Sequence, residues 1–185
     1  MDGVDVAADP VAAQRAMGML PDSRGLYPRM TPREHIRYFG ELHGLSRAEI
    51  RERSSALLAR LGLEGLADRR VAGFSQGERT KVALARALIH APRNVILDEP
   101  TNGLDVMSTR AMRTLIRGLR QDGCCVVFSS HIMQEVSALC DRIVVIAQGT
   151  VVADGTPDDL RAQTGKSDLE DAFVALSGIE TEAVE

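Results

Sequence analysis

From Asn94 onward, short apolar runs alternate with amphipathic stretches, and this alternation constrains the fold more than any other feature of the sequence. The run VIL and the run CCVVFSS are separated by the amphipathic stretch STRAMRTLIRGLRQ. Buried apolar strands that alternate with helices predict a parallel β-sheet covered by helices on both faces. Farther on, RIVVIAQGTVVADG is typical of a hairpin that turns near Gln148 and Gly149. The fold class is therefore α/β.

The first half of the chain is mostly helical. AMGMLPD predicts a short strand that ends at Pro21, because proline lacks the N–H that a sheet ladder needs. Three helix starts follow, TPRE, SRAE and SQGE, and each has the pattern of a capping box. We expect residues 23–91 to form a helical subdomain inserted into one α/β domain that spans residues 1–185, and residues 155–185 to form a tail of two short helices.

Composition excludes several classes of protein. The chain has 185 residues, a net charge of −4 and 3% aromatic residues, which argues against a nucleic-acid-binding protein. The polar start MDGVDVAADP does not resemble a signal peptide, and no apolar run approaches the length of a membrane span. Three cysteines without metal-ligand spacing are typical of a reducing cytosol.

Polar residues follow two of the predicted strands directly. Asp98 and Glu99 come after VIL, and His131 comes after the next strand. Because neighbouring parallel strands end at the same edge of a sheet, these three side chains are predicted to share that edge. One carboxylate suits Mg²⁺, held through water, and the other suits activation of an attacking water. A solvated acidic loop and a helix-capping histidine remain open as alternatives.

Two further short motifs have weaker individual signals. In FSQGE a serine and a glycine stand at a helix start, where unpaired N–H groups and the helix dipole favour an anion. An ordinary capping box between Ser75 and Glu78 explains the same letters. The turn NGLD, which ends at Asp105, contains Asn-Gly, a pair that is common in ordinary loops.

Taken in this order and spacing, the motifs resemble the nucleotide-binding subunits of ATP-binding-cassette (ABC) transporters. FSQGE is similar to the family signature LSGGQ, VILDEP to its Walker B strand, GLD to its D-loop and SSH to its switch-histidine loop. GLYPRMTPREHIRYFGELHGL and LEDAFVALSG resemble the subgroup that serves bacterial multidrug, antibiotic-resistance and sodium exporters. The resemblance implies a P-loop NTPase-like parallel sheet flanked by helices, with an inserted helical subdomain, in a subunit that binds and hydrolyses ATP.

The resemblance also implies a role for each matching residue. Four signature residues would cover the triphosphate bound to the opposite subunit of a head-to-tail dimer, formed with itself or with a second ATPase subunit: Ser75, Gln76, Gly77 and Glu78. Asp98 would hold Mg²⁺ through water, Glu99 would be the general base, and His131 would contact the terminal phosphate. Asp105 would link the two sites of the dimer.

Two other implications concern the loop after the first strand and the membrane partner. The family's metal-sensing glutamine aligns with Asp22, a shorter and charged side chain that can still contact metal-bound water. Residues 23–66 would contact a membrane-spanning permease, which would place the protein in the cytoplasm, on the inner face of the cell membrane. The subunit would then energise an exporter.

The phosphate-binding loop of such proteins, a strand followed by GxxxxGK[ST] and a helix, is missing from the sequence. LRAQTGKS does not replace it, because a helix precedes it and Leu160 stands where the first glycine belongs; we expect a turn there, with Ser167 capping the next helix. The hypothesis is an ABC ATPase that is incomplete at its N-terminus, through a late-called start, a truncated gene or a fragment. We predict weak or no ATPase activity for the polypeptide alone.

Two alternatives differ in class. The chain could be a non-catalytic truncated partner that contributes its signature helix to another subunit's ATP site, although Glu99 and His131 are not needed for that. It could instead be a soluble ABC-type ATPase of DNA repair or translation. Those proteins carry long coiled-coil heptads or a second cassette, and neither is present in the sequence.

Overall fold

The computed structural model describes residues 1–178, and these divide into two compact units, Met1–Ser129 and residues 130–178. Each unit has its own helices and its own sheet, and they are described separately. Within residues 1–178, no helix combines the length and the apolarity needed to cross a bilayer.

The first unit consists of five helices and three strands. Its helices are α1 (Pro10–Arg15), α2 (Pro32–Leu42), α3 (Arg47–Arg60), α4 (Gln76–Leu88) and α5 (Val106–Gln121). Its strands are β1 (Met17–Leu20), β2 (Asn94–Leu97) and β3 (Cys125–Phe128), and a short 3₁₀ helix covers Glu64–Leu66. The predicted α/β class is confirmed.

The three strands form one parallel sheet in the order β1-β2-β3. Leu20 pairs with Leu97, and Leu97 pairs with Phe128, so all three strands end at the same edge. Gly18 lies against the end of α4, where an added Cβ would come within 2.3 Å of the Ala87 carbonyl oxygen. This close approach explains why a glycine stands in the middle of a strand.

The prediction of a sheet buried on both faces is wrong for the part of the chain that the structure describes. Along β3 the side chains alternate between exposed and half-buried, and Val127 is 58% exposed. Met19, on the same face of β1, is 46% exposed. The helices of the first unit cover only the face of the sheet that carries Leu20, Val95 and Leu97. The strands are apolar on both faces, but only one face is buried.

The helical stretch between β1 and β2 begins as predicted. Thr31, Ser46 and Ser75 are N-caps, and each forms a complete capping box with the glutamate three residues later. The histidines there have structural roles: His35 is buried and bonded to the Thr31 carbonyl oxygen, and the rings of His43 and His90 stack with centroids 3.7 Å apart. Partial burial, with His43 nearby, lowers the pKa of His90 to about 4.

The second unit pairs an antiparallel hairpin with three helices: α6 (Met133–Leu139), β4 (Ile143–Ala147), β5 (Thr150–Gly155), α7 (Pro157–Thr164) and α8 (Leu169–Ser177). Its turn lies at Gln148 and Gly149, as predicted, and both have positive φ. The N-cap of α8 is Asp168, whose side chain accepts from the Glu170 N–H, so the predicted cap at Ser167 is wrong by one residue. The predicted tail reaches beyond residue 178, outside the described residues.

Candidate functional site

Strand β2 delivers two carboxylates to the edge where the parallel strands end. Asp98 still belongs to the ladder through its N–H, which donates to the Leu20 carbonyl oxygen at 2.8 Å. The Asp98 side chain is exposed and Glu99 is half-buried. Asp22 follows the end of β1 at the same edge. In open α/β sheets this edge is the usual place for ligands.

Ser129, the residue after β3, links the two acidic residues. Its hydroxyl donates to Asp98 Oδ1 at 2.7 Å and accepts from the Glu99 N–H at 2.8 Å. A hydrogen bond to a carboxylate is charge-assisted and therefore stronger than a neutral one. One serine thus orients the Asp98 side chain and the Glu99 backbone together. We call Asp98, Glu99 and Ser129 the acidic edge.

The backbone of Glu99 has an uncommon conformation. Its φ is +43°, in the left-handed region that residues other than glycine rarely adopt. Such conformations cost free energy and concentrate at functional sites, where the surrounding structure maintains them. Two hydrogen bonds maintain the conformation of Glu99. Its N–H donates to the Ser129 hydroxyl, and its carbonyl oxygen accepts from the Asn102 N–H at 3.1 Å.

The turn that follows the acidic edge ends in a helix cap. Asp105 accepts from the Ser108 N–H at 2.8 Å and from the Ser108 hydroxyl at 2.8 Å, and it begins α5. These bonds, the backbone one first, hold the pKa of the Asp105 carboxyl below its ordinary value. Asp105 is therefore the N-cap of α5, a local role that the turn NGLD alone does not indicate.

The FSQGE turn begins α4 through the capping box of Ser75 and Glu78. The Ser75 N–H donates to Glu78 Oε2 at 2.8 Å, and the Glu78 N–H donates to the Ser75 hydroxyl at 3.2 Å. The local explanation of this motif is therefore confirmed, and it leaves the exposed Ser75 and Gln76 on the surface. We call Ser75–Glu78 the signature turn.

The signature turn lies against the turn that precedes α5. A Cβ added at Gly77 would come within 2.7 Å of Ser108 Oγ, so a larger residue would require the Ser108 side chain to move. A Cβ added at Gly103 would lie 3.4 Å from Gln76 Nε2. Within one chain, the signature turn and the Asp105 turn therefore contact each other.

Two arginines tie the loop after β1 to α4. Arg24 Nε donates to Thr80 Oγ1 at 2.6 Å, and the Thr80 hydroxyl donates to the Gln76 carbonyl oxygen at 3.0 Å. Arg86 donates to the carbonyl oxygens of Arg24 and Gly25, both at 2.9 Å. The exposed Asp22 thus belongs to a loop fixed to the helix that carries the signature turn.

His131 lies in the second unit, where it is exposed and precedes α6. Its predicted position beside the acidic pair therefore stays a prediction. Sequence reasoning missed Ser129, Thr80, Arg24 and Arg86. Apart from bonds within a local turn or helix, the partners of these four residues lie 30 to 62 residues away along the chain. The sequence around three of them therefore gives no indication of the contact. Only Ser129 is part of a recognisable motif, SSH.

The comparisons with known proteins agree with one another. Residues 1–102 match the family described as ABC transporter. The chain is 43% identical, over 95% of its length, to the ABC transporter ATP-binding protein NatA of Bacillus subtilis. It is 34% identical, over 88% of its length, to the linearmycin resistance ATP-binding protein LnrL of the same organism.

A solved structure and the relative lengths complete this comparison. The fold matches a structure described as the ATP binding subunit of an ABC transporter, with a TM-score of 0.86, 32% identity, and coverage of 96% of this chain and 75% of that one. The chain spans 72% of NatA and 52% of LnrL.

Proposed function

Because the chain belongs to the ABC transporter family, we propose that it is an ATP-hydrolysing subunit that energises an exporter in the cell membrane. The names of its relatives support export: LnrL is a resistance protein, and a relative in Rhizobium etli, 34% identical over 85% of this chain, is a Nod factor export protein. The observation that carries the proposal is the acidic edge, where Ser129 binds the Asp98 carboxylate and the Glu99 N–H at the end of a parallel sheet.

In this proposal the two carboxylates have different roles. Asp98, which already accepts the Ser129 hydroxyl, holds Mg²⁺ through water. Glu99 accepts the proton of the water that attacks the terminal phosphate, and its unusual backbone conformation sets the direction of its side chain. His131 contacts the terminal phosphate, and Asp22 contacts metal-bound water.

The residues at the edge fit Mg²⁺. Magnesium prefers oxygen ligands and keeps several of its waters, so one or two carboxylates are a typical protein contribution. Asp98, Glu99 and Ser129 supply carboxylate and hydroxyl oxygens only. Among the described residues no group of three or more His, Cys, Asp or Glu could hold a metal. This is the expected situation where ATP and water supply the remaining ligands. When bound, the ion neutralises charge on the phosphates.

The signature turn serves a different ATP molecule in this proposal. Its helix N-terminus presents N–H groups to an anion, and Ser75 and Gln76 are exposed. A head-to-tail dimer brings this turn onto the triphosphate bound to the opposite subunit, with Gly77 and Glu78 shaping the turn. Asp105, which caps α5 beside Gly77, then lies between the two sites.

The helical stretch 23–66 contacts the membrane-spanning permease in this proposal. Large side chains remain exposed there, including Tyr27 at 50%, Tyr38 at 41% and Leu42 at 64%. The permease keeps the subunit on the cytoplasmic face of the membrane. Motion of the loop after β1 reaches α4 through Arg24 and Arg86.

The test is magnesium-dependent ATP hydrolysis by the protein assembled with its permease in proteoliposomes. Replacing the general base, Glu99→Gln, should lower the maximal rate by about 10²- to 10⁴-fold, because the attacking water loses its proton acceptor. Glu170→Gln, at an exposed glutamate of α8 outside the site and outside the stretch 23–66, is the matched control and should leave the rate unchanged.

Two results would contradict the proposal. If the Glu99→Gln complex hydrolyses ATP at the normal rate, Glu99 is not the general base. If Glu99→Gln has no effect while Ser75→Ala abolishes hydrolysis, the chain is the non-catalytic partner that completes another subunit's ATP site.

A further inference from the structure

A cavity of about 580 Å³ lies in the first unit, between α4, α5 and the end of α3, away from the carboxylates of the acidic edge. Its volume falls in the range of small-molecule sites, about 300–1,000 Å³. Its floor is apolar and is formed by Leu61, Leu84, Leu104, Met112 and Leu115. Four of these five, all but Leu104, are buried, so the floor is part of the core.

The rim of the cavity is cationic. Arg60, Lys81 and Arg110 line it, and no aspartate or glutamate does. Arg60 is already bonded to Asp122 Oδ2 at 2.7 Å. Lys81 and Arg110 form no side-chain ion pair with any residue between 1 and 178. Lys81 is also half-buried, where an unpaired charge is more costly than at the open surface.

We propose that this cavity binds a small anionic amphiphile: a single aliphatic chain that lies on the leucine floor, with one carboxylate that pairs with Lys81 and Arg110. The chain removes apolar surface from water, and the carboxylate supplies the charge that the rim lacks. A nucleotide fits less well. No aromatic side chain lines the cavity for a base to stack on, and no carboxylate is present to bind a ribose.

The position of the cavity gives binding a consequence. Gly77 of the signature turn and Ser108 of α5 also line it, and these two residues make the close approach described above. A molecule bound between α4 and α5 therefore contacts both helices where they meet. Occupancy holds the signature turn at a fixed distance from the start of α5, which makes the cavity a regulatory site.

The experiment is calorimetric titration of the full chain with decanoate, decanol and decyltrimethylammonium, each below its aggregation limit. Decanoate should bind at one site, about tenfold or more tightly than the two ligands without a negative charge, because a charge-assisted contact contributes at least that factor. Added salt should reduce this preference. Nucleotide is absent, so the result does not depend on whether the protein hydrolyses ATP.

Variants locate the site. The double variant Lys81→Gln, Arg110→Gln should weaken decanoate about tenfold while leaving decanol unchanged. Arg117→Gln, an exposed arginine of α5 outside the cavity, is the charge-matched control. Ala111→Phe, which fills the cavity from α5, should abolish binding of all three ligands. It provides a second test of the site if the double variant does not fold.

Three outcomes would overturn the proposal. The first is no saturable binding of decanoate. The second is equal affinity for decanoate and decanol, or an unchanged decanoate affinity in the double variant. The third is self-association of the protein that the double variant abolishes, together with no binding of decanoate; a second copy of the chain would then be the occupant.

Discussion

The acidic edge and the signature turn are two small groups of residues that differ in how the chain holds them. The signature turn is maintained by bonds between residues three apart, Ser75 and Glu78. The acidic edge depends on Ser129, which lies 30 residues beyond Glu99 and 31 beyond Asp98. The first is a local structure of the chain, whereas the second exists only once β2 and β3 are paired.

This difference explains what each segment can do. A local cap keeps its helix N-terminus exposed for a second molecule, and it needs little from the rest of the fold. The acidic edge combines one carboxylate bound to a hydroxyl with a residue held at positive φ, and such a conformation persists only where tertiary contacts maintain it. We therefore expect substitutions to affect stability and activity differently in the two segments.

The largest effect on stability is expected at Thr80, which joins the helix of the signature turn to the loop after β1. Thr80→Val keeps the shape and removes the acceptor of Arg24, so the free energy of unfolding should fall by about 2 kcal/mol. Thr80→Ser, which keeps the hydroxyl, should restore most of it. Urea unfolding measures both.

Thr114→Val is the matched control for Thr80. Its hydroxyl makes the same bond to the carbonyl oxygen four residues earlier, that of Arg110, but accepts no bond from an arginine side chain within residues 1–178. If both valine variants lose the same stability, the link between Arg24 and Thr80 contributes nothing, and the signature turn is independent of the loop that carries Asp22.

A smaller loss is expected at Ser129. Ser129→Ala removes the charge-assisted bond to Asp98 and the acceptor of the Glu99 N–H, at a cost of about 1–2 kcal/mol in the free energy of unfolding. ATP hydrolysis should fall as well, because the Asp98 carboxylate loses its hydrogen-bond donor and the Glu99 backbone loses its acceptor. Ser129→Thr retains the hydroxyl and should preserve the rate; a rate equally low in Ala and Thr variants would contradict the role of the hydroxyl.

The smallest change is expected at the caps. Ser75→Ala and Thr156→Ala each remove one capping-box hydroxyl, so each should lower the free energy of unfolding by about 1 kcal/mol. Only Ser75→Ala should also reduce ATP hydrolysis by the assembled complex. Equal hydrolysis in the two variants would mean that the signature turn is no more than a helix cap.

The sequence predicted what depends on neighbours along the chain. All three capping boxes, the strand before Pro21 and the hairpin turn at Gln148 follow from residues within a few positions, and the structure confirms them. The parallel arrangement also followed, because apolar strands alternated with helices. The apolar letters of β3 overstated its burial, since burial depends on what covers each face.

The contacts that position the site could not be predicted in the same way. Nothing near Ser129 indicates that its hydroxyl contacts the Asp98 carboxylate and the Glu99 N–H, and nothing near Thr80 indicates an arginine partner 56 residues away. Asp105 shows the opposite case. Its cap on α5 depends on Ser108, three residues later, and the run DVMS is sufficient to predict it.

In the proposed function, Asp98 holds the magnesium ion and Glu99 accepts the proton of the attacking water. The most direct test is the magnesium dependence of ATP hydrolysis by the assembled complex. Asp98→Asn should raise the magnesium concentration at half-maximal rate by about tenfold or more, because the waters of the ion lose a negatively charged hydrogen-bond acceptor. Glu99→Gln should lower the maximal rate and leave that concentration unchanged. If both variants lower the rate alike, with the same magnesium dependence as the unaltered protein, the division of roles is wrong.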